Sequence, residues 1–422
     1  MKPKTRLFVI ASFLLYCSTG AIAQITWDTV GITVAGGNGQ GLNSNQLNLP
    51  NGIFVDSKGN IFIADAGNNR VQKWAPGAKI GITVAGDSIQ GGSAANELND
   101  PTNIVVDSFG NLFITDQSNN RIQKWMPGVD SGITVAGGNG PGNKANQLHW
   151  PADVFLDGSN NIFICDGAPN NRIQKWATGA DSGITVAGGN GNGSKANQLS
   201  GPTSVYVDKT GNIFIDDAGN FRIQKWAPGT DSGKTIAGGK NFTGYSPNQL
   251  AFTNGVYVDS IGNIFIADAG WGRVLEWTPG ADSGITIVGG NGWGSNAEQF
   301  GYLTYFFLDK NYNLYVSDNW NNRVQEFKAI TKTTTGISPI NANSYFDIYP
   351  NPTLGVFNLR FKNQNFANDK INITIFDAEG KMLAPMSIGA SNEIDMSGKP
   401  KGLYFVRVIA GGNEYVAKVA VQ

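Results

Sequence analysis

The stretch Asp65-Ala-Gly-Asn-Asn-Arg-Val-Gln-Lys-Trp74 decides how this chain is read, because its pattern returns down the sequence. Its aspartate recurs as Asp116, Asp166, Asp217, Asp268 and Asp318, and its arginine Arg70 as Arg121, Arg172, Arg222, Arg273 and Arg323. The interval is 50 or 51 residues each time, the length of a propeller blade rather than of a helical solenoid unit. Each unit holds four short apolar segments; in the first they are residues 53–55, 61–64, 70–74 and 82–85. None carries a 3.6-residue stripe over helical length, and four antiparallel strands make one blade. Asp56-Ser-Lys-Gly-Asn60 and Ala75-Pro-Gly77 read as the turns between them.

Composition agrees with a loop-rich β protein. The 422 residues include 56 Gly and 17 Pro, with 15% charged and 41% hydrophobic residues, too apolar for a disordered chain. The formal net charge of −1 shows no basic stripe, so nucleic acid is not an expected partner. Segments like Ile-Thr-Val-Ala-Gly start at Ile32, Ile82, Ile133, Ile184, Lys234 and Ile285. The first precedes unit one and none follows Phe327, so residues 32–36 are expected to supply the outer strand of the last blade. Such a closure joins the two ends of a ring over residues 24–328 and removes an open sheet edge.

The units resemble NHL repeats. The matching residues are Pro50-Asn-Gly-Ile-Phe-Val-Asp56, Gly59-Asn-Ile-Phe-Ile-Ala-Asp65 and Asn68-Asn-Arg-Val71. Two departures are local: Cys165-Asp-Gly-Ala-Pro-Asn-Asn-Arg172 has one extra residue, and Tyr302-Leu-Thr-Tyr305 lacks the proline. The resemblance implies an all-β, six-bladed β-propeller.

Both ends of the chain carry transport signals. Lys2, Lys4 and Arg6, the apolar run 7–16 and Ala21-Ile-Ala23 read as a signal peptide over residues 1–23. Its removal takes Cys17 and leaves Cys165 without a disulfide partner. No other apolar run reaches the length of a membrane helix. Residues 329–345, polar and Thr-rich, read as a linker, and 346–422 as a small Ig-like β-sandwich of alternating segments with a turn at Asp377-Ala-Glu-Gly380. This tail resembles the C-terminal sorting domain of the type IX secretion system of Bacteroidetes, through Tyr349-Pro-Asn-Pro352 with Gly355, Ile375-Phe-Asp-Ala-Glu-Gly-Lys381, Ile394-Asp-Met-Ser397, Gly402-Leu-Tyr-Phe-Val-Arg-Val408 and Lys418-Val-Ala-Val-Gln422. The resemblance implies passage through the periplasm and across the outer membrane, cleavage by a sortase-like peptidase, and release or attachment to surface lipopolysaccharide.

Catalytic candidates are few. His149 is the single histidine, at a loop position held elsewhere by Asn48, Asn99, Ser200 and Ala251, and Cys165 takes the core position of Ala64 and Thr115. Zinc centres and hydrolytic triads need more. No cofactor is expected, and no metal: turns such as Asp130-Ser-Gly132, Asp181-Ser-Gly183 and Asp282-Ser-Gly284 bring one carboxylate each, where a tight calcium site gathers several. The Asp and Arg of every unit read as struts, the Asp accepting backbone N–H groups of the following turn and the Arg bridging locally. Trp74, Trp125, Trp176, Trp226 and Trp277 read as packing between blades. Function is expected where the repeat is broken. Phe221, Trp271 and Trp320 replace small or polar residues of the loop between the second and third strands, and Phe242, Tyr245 and Trp293 occupy the loop before the next unit. Such aromatics on one face suit a glycan or protein ligand at the cell surface. At the starts of the inner strands, Asn103, Asp153 and Tyr305 are candidates for bonding a ligand near the channel mouth. Two alternatives stand beside a non-enzymatic binding protein: a lyase or hydrolase using carboxylates such as Asp153 in the channel, and a purely structural surface protein.

Overall fold

A computed structural model describes residues 24–86, 90–239, 244–332, 346–361, 372–377, 383, 393–410 and 413–422. One compact unit spans Ile25–Ile330, and Thr331–Gln422 falls in a second. The first contains six four-stranded antiparallel sheets, the blades of a propeller. Blade 1 runs from the inner strand Pro50–Val55 through Ile61–Asp65 and Arg70–Trp74 to the outer strand Ile82–Ala85. The inner strands of blades 2 to 6 are Pro101–Val106, Pro151–Leu156, Ser204–Val207, Thr253–Val258 and Leu303–Leu308.

Blade 6 closes as its sequence implies. Ile32–Gly36 lies against Arg323–Phe327, with Ile32 opposite Glu326 and Gly36 opposite Arg323. A bulge between Thr33 and Ala35 recurs in the outer strands, and bulges blunt an edge that would otherwise pair with another chain.

Burial explains the near-continuous apolar runs. All five residues of the second strand are buried in every blade, since neighbouring blades cover both sheet faces. Trp74 packs with Ile53 and Ile61 of its own blade and with Tyr315 and Val324 of blade 6, and so seals a joint between blades. In the hairpin after the inner strand, Asp56 accepts the N–H groups of Lys58 at 2.9 Å and Asn60 at 2.8 Å, while Gly59 takes φ +81°.

The chain remains paired past Phe327, which corrects the expectation of a linker from residue 329. Ala329–Lys332 pairs with Gln24–Trp27 in a two-stranded sheet. Trp27 holds the first of these strands, buried against Phe265 with its indole N–H donating to the carbonyl of Tyr312 at 2.7 Å. The remainder of the expected linker, 333–345, and the leader, 1–23, lie outside the described residues.

Among its described residues the second unit has two three-stranded sheets. One is Phe346–Tyr349, Val356–Phe361 and Glu393–Asp395; the other is Asn372–Asp377, Gly402–Ala410 and Asn413–Val421. Phe346, Phe357, Leu359 and Ile394 of the first share a core with Ile375, Val406, Val408 and Val419 of the second, a small β-sandwich. Of the expected turn at Asp377–Gly380, residues 378–380 lie outside the described residues.

Candidate functional site

The repeated ion pair builds the loops that carry the candidate residues. Asp65 Oδ2 accepts Arg70 Nε at 2.7 Å and Asn68 Nδ2 at 2.8 Å, and its Oδ1 accepts the N–H of Asn48 at 2.6 Å. Arg70 reaches on to the carbonyls of Leu42 at 3.0 Å and Gln46 at 3.3 Å. The expected acceptance from the following turn is therefore corrected: the N–H comes from the loop upstream, and the pair ties that loop to the turn after the second strand. Burial pushes the Asp65 carboxyl up, while the bonds from Asn68, Asn48 and Arg70 pull it back. The Arg–Asp contact recurs in all six blades at 2.6–2.8 Å, as a strut should.

A second link joins blade to blade. The turn ends in a left-handed residue, Asn69 at φ +54°, whose Oδ1 accepts the N–H of Asp100 at 2.9 Å in the next blade. Asn120, Asn171 and Asn322 do the same for Trp150, Gly201 and Leu49. In blades 4 and 5 Phe221 and Gly272 stand at that position and carry no such acceptor.

The aromatic candidates gather where these links fail. Phe221 holds φ +53° and meets Phe252 edge-on at 5.9 Å. Trp271 stands where Asn68 stands in blade 1, so Asp268 lacks the amide bond that Asp65 receives; its ring meets Tyr245 at 5.5 Å. Tyr245 also lies under the Arg273 guanidinium at 4.8 Å and donates to the carbonyl of Gly290 at 2.8 Å. Trp293 meets Trp320 edge-on at 5.8 Å, and Trp320 stacks on Tyr302 at 5.2 Å with 24° between the planes. Phe252, Trp293, Trp320 and Tyr245 are 62%, 57%, 56% and 53% exposed. Phe242 lies outside the described residues. Phe252, Tyr302 and the exposed Trp150 belong to the same face and went unread in the sequence. Their signal is the position before the inner strand, occupied by Leu49, Asp100, Trp150, Gly201, Phe252 and Tyr302.

The channel candidates do meet, but in the interior rather than at a mouth. Asn103 Nδ2 donates to Asp153 Oδ1 and, at 3.2 Å, to the hydroxyl of Tyr305 across the ring. Asp153 also accepts the N–H groups of Val154 and Val205, both at 2.8 Å. Asn103 and Asp153 are buried, whereas Tyr305 is partly exposed. Beside them stands a residue the sequence reading missed, Asp216, buried where other blades have Ala64, Thr115, Cys165, Ala267 and Ser317. It accepts the Thr253 hydroxyl and the Gly255 N–H, the latter at 3.1 Å. Desolvation raises Asp153 to about 6 and Asp216 to about 7 against the hydrogen bonds they accept. The same burial, with Asp153 and Asp216 nearby, holds the Cys165 thiol well above its ordinary range, so it is no thiolate nucleophile. His149 is a partly exposed loop residue whose backbone N–H bonds Asp166 at 2.7 Å. Among the described residues no three His, Cys, Asp or Glu side chains converge as metal ligands.

Comparison with known proteins fits this architecture. Residues 347–422 match the secretion system C-terminal sorting domain, and residues 47–74 match the NHL repeat. Peptidyl-glycine alpha-amidating monooxygenase of Mus musculus is 35% identical over 91 residues, 21% of this chain and 9% of that protein, so the chain spans about a tenth of that relative's length. An auxiliary nutrient binding protein from Bacteroides ovatus superposes with a TM-score of 0.53 at 12% identity, over 73% of this chain and 78% of that one. A gluconolactonase from Xanthomonas campestris does so with a TM-score of 0.50 at 11% identity, over 68% and 88%. At such identities the likeness is one of fold. No described helix is long and apolar enough to cross a membrane. The chain carries an NHL-repeat β-propeller and a C-terminal sorting domain of the type IX secretion system, which directs it to the cell surface or the medium.

Proposed function

We propose that the propeller is a non-enzymatic binding module, holding a glycan or protein ligand at the cell surface through the loop face of blades 4 to 6. The observation that carries this reading is the exposure of Phe252, Trp293, Trp320 and Tyr245 on one face, at the joints from blade 4 to 5 and from blade 5 to 6, where the Asn link is replaced. Exposed rings offer large apolar area at low entropic cost and mark contact sites more often than isolated aliphatic residues do. Export by the type IX machinery places the face where such ligands are met, and removal of the tail by a sortase-like peptidase would leave the propeller free to use it. A Trp293→Ala, Trp320→Ala double variant of the full chain should lose binding to a glycan array or to surface extract of the producing cells by tenfold or more, on the order of 1.4 kcal/mol. Equal binding by both proteins contradicts the proposal.

A second reading has its own observation: Asp153 and Asp216, each the one carboxylate at its position among the six blades, lie buried with raised pKa values, Asp153 near Tyr305 and Asp216 against Thr253 and Gly255. Perturbed acids in a cleft are candidate general acids or bases for a lyase or hydrolase. Turnover abolished by Asp216→Asn and kept by the double tryptophan variant is the result expected of an enzyme. Neither binding nor turnover would leave a structural role.

A further inference from the structure

The sorting domain holds a loop that is fixed on both sides and yet presents an apolar side chain to solvent. In Tyr349-Pro-Asn-Pro-Thr-Leu-Gly355, Asn351 bonds the last strand twice, its Nδ2 donating to the Lys418 carbonyl at 2.8 Å and its Oδ1 accepting the Ala420 N–H at 3.0 Å. Thr353 bonds that strand as backbone, its N–H donating to Ala420 O at 2.8 Å and its carbonyl accepting the Gln422 N–H at 2.9 Å. The Thr353 hydroxyl donates to the Val356 carbonyl and accepts the Gly355 N–H at 3.1 Å. Gly355 takes φ +138°, and its carbonyl accepts the Met396 N–H at 2.6 Å. Between these two buried residues Leu354 stands 89% exposed, the most exposed large hydrophobic residue among those described. Further apolar surface belongs to the same clasp. Val356, 38% exposed, flanks the loop on one side and Tyr349, its ring under the Arg360 guanidinium at 5.6 Å, on the other, and Leu403, 42% exposed, pairs with Ala420, the residue Asn351 and Thr353 grip.

At 89% exposure Leu354 packs little against the domain, whereas seven hydrogen bonds hold its loop in one shape. A side chain preorganised in this way loses little freedom when it enters a pocket, so its burial converts more fully into affinity. We propose that Leu354, with Val356 and Leu403 around it, is the anchor by which an apolar pocket of the export machinery grips this sorting domain. The occupant follows from what the domain does: residues 347–422 are the part of the chain that matches the sorting domain, and Leu354 is the most exposed large apolar side chain among its described residues. The proposal is independent of what the propeller binds.

The test is export of the full chain from the producing cells. Leu354→Asp should lower the exported fraction by tenfold or more, with the retained protein in the periplasm, while Leu354→Met is exported as the parent is. The purified Leu354→Asp protein should melt as the parent does, because so exposed a side chain has no packing to lose. Export of Leu354→Asp at the parental level overturns the proposal. A clear fall in its melting temperature overturns it too, since Leu354 would then serve the fold.

Discussion

Asp216 shows how one residue can change the chemistry of a repeated frame. Its position is otherwise filled by small side chains, and its carboxyl, buried and facing Thr253 and Gly255, is raised to about 7, with Asp153 at about 6. Both folded values exceed the ordinary 3.8, so the folded protein binds protons that the unfolded chain releases. The stability this contributes is fully present below the unfolded value and is lost as pH rises through about 6 and about 7. Urea unfolding should accordingly show stability falling from about pH 4, near the unfolded value, to about pH 7, the higher folded value, by on the order of a few kcal/mol. In Asp216→Asn that slope should shrink, leaving the part due to Asp153; an unchanged slope would mean that Asp216 titrates normally. In the sequence Asp216 hides beside the motif residue Asp217, and only lining up the residue before each motif aspartate reveals it. Asn103, Asp153 and Tyr305 were legible because each departs from the small residues at the start of its strand. That they bond one another across the ring was not, since the contact spans 202 residues of chain.

At the level of the loop, the struts and the Asn links divide the six blades into two classes. Blades 1, 2, 3 and 6 end their turn in Asn69, Asn120, Asn171 and Asn322, each accepting an N–H of the following blade. Phe221 forgoes that bond while holding a left-handed backbone, which costs a bulky residue roughly 1–2 kcal/mol. Phe221→Asn should restore the acceptor for the Phe252 N–H, relax the backbone and raise stability by about 1 kcal/mol after the loss of ring packing. If the aromatic face binds ligand, the same substitution weakens binding; thermal melts and binding assays on one protein separate the two effects. The strands, hairpins and closing strand could be read from the period of 50 or 51 because every unit repeats the same signals. The Asn48 bond to Asp65 and the strand Ala329–Lys332 could not: the first joins residues 17 apart through a loop, and the second depends on Trp27 burying itself beside blades 5 and 6.

For the whole molecule, the division of labour follows from how each unit is built. A ring of stacked blades buries each sheet on both faces and leaves its loops free to vary, which is why the proposed binding face is drawn where blades 4 to 6 depart from the others. The sorting domain keeps its own core of Phe346, Phe357, Val406 and Val419. Fold and export route were readable from ordered motifs, and the ligand was not, because a binding face is made of residues that follow no pattern. The measurement that bears most directly on the account is binding of the full chain and of its Trp293→Ala, Trp320→Ala variant, matched in melting temperature, to a glycan array and to surface extract of the producing cells. The account predicts a ligand held by the parent and lost from the variant by tenfold or more, on the order of 1.4 kcal/mol. Undiminished binding by the variant, or turnover of the ligand that Asp216→Asn abolishes, would contradict it.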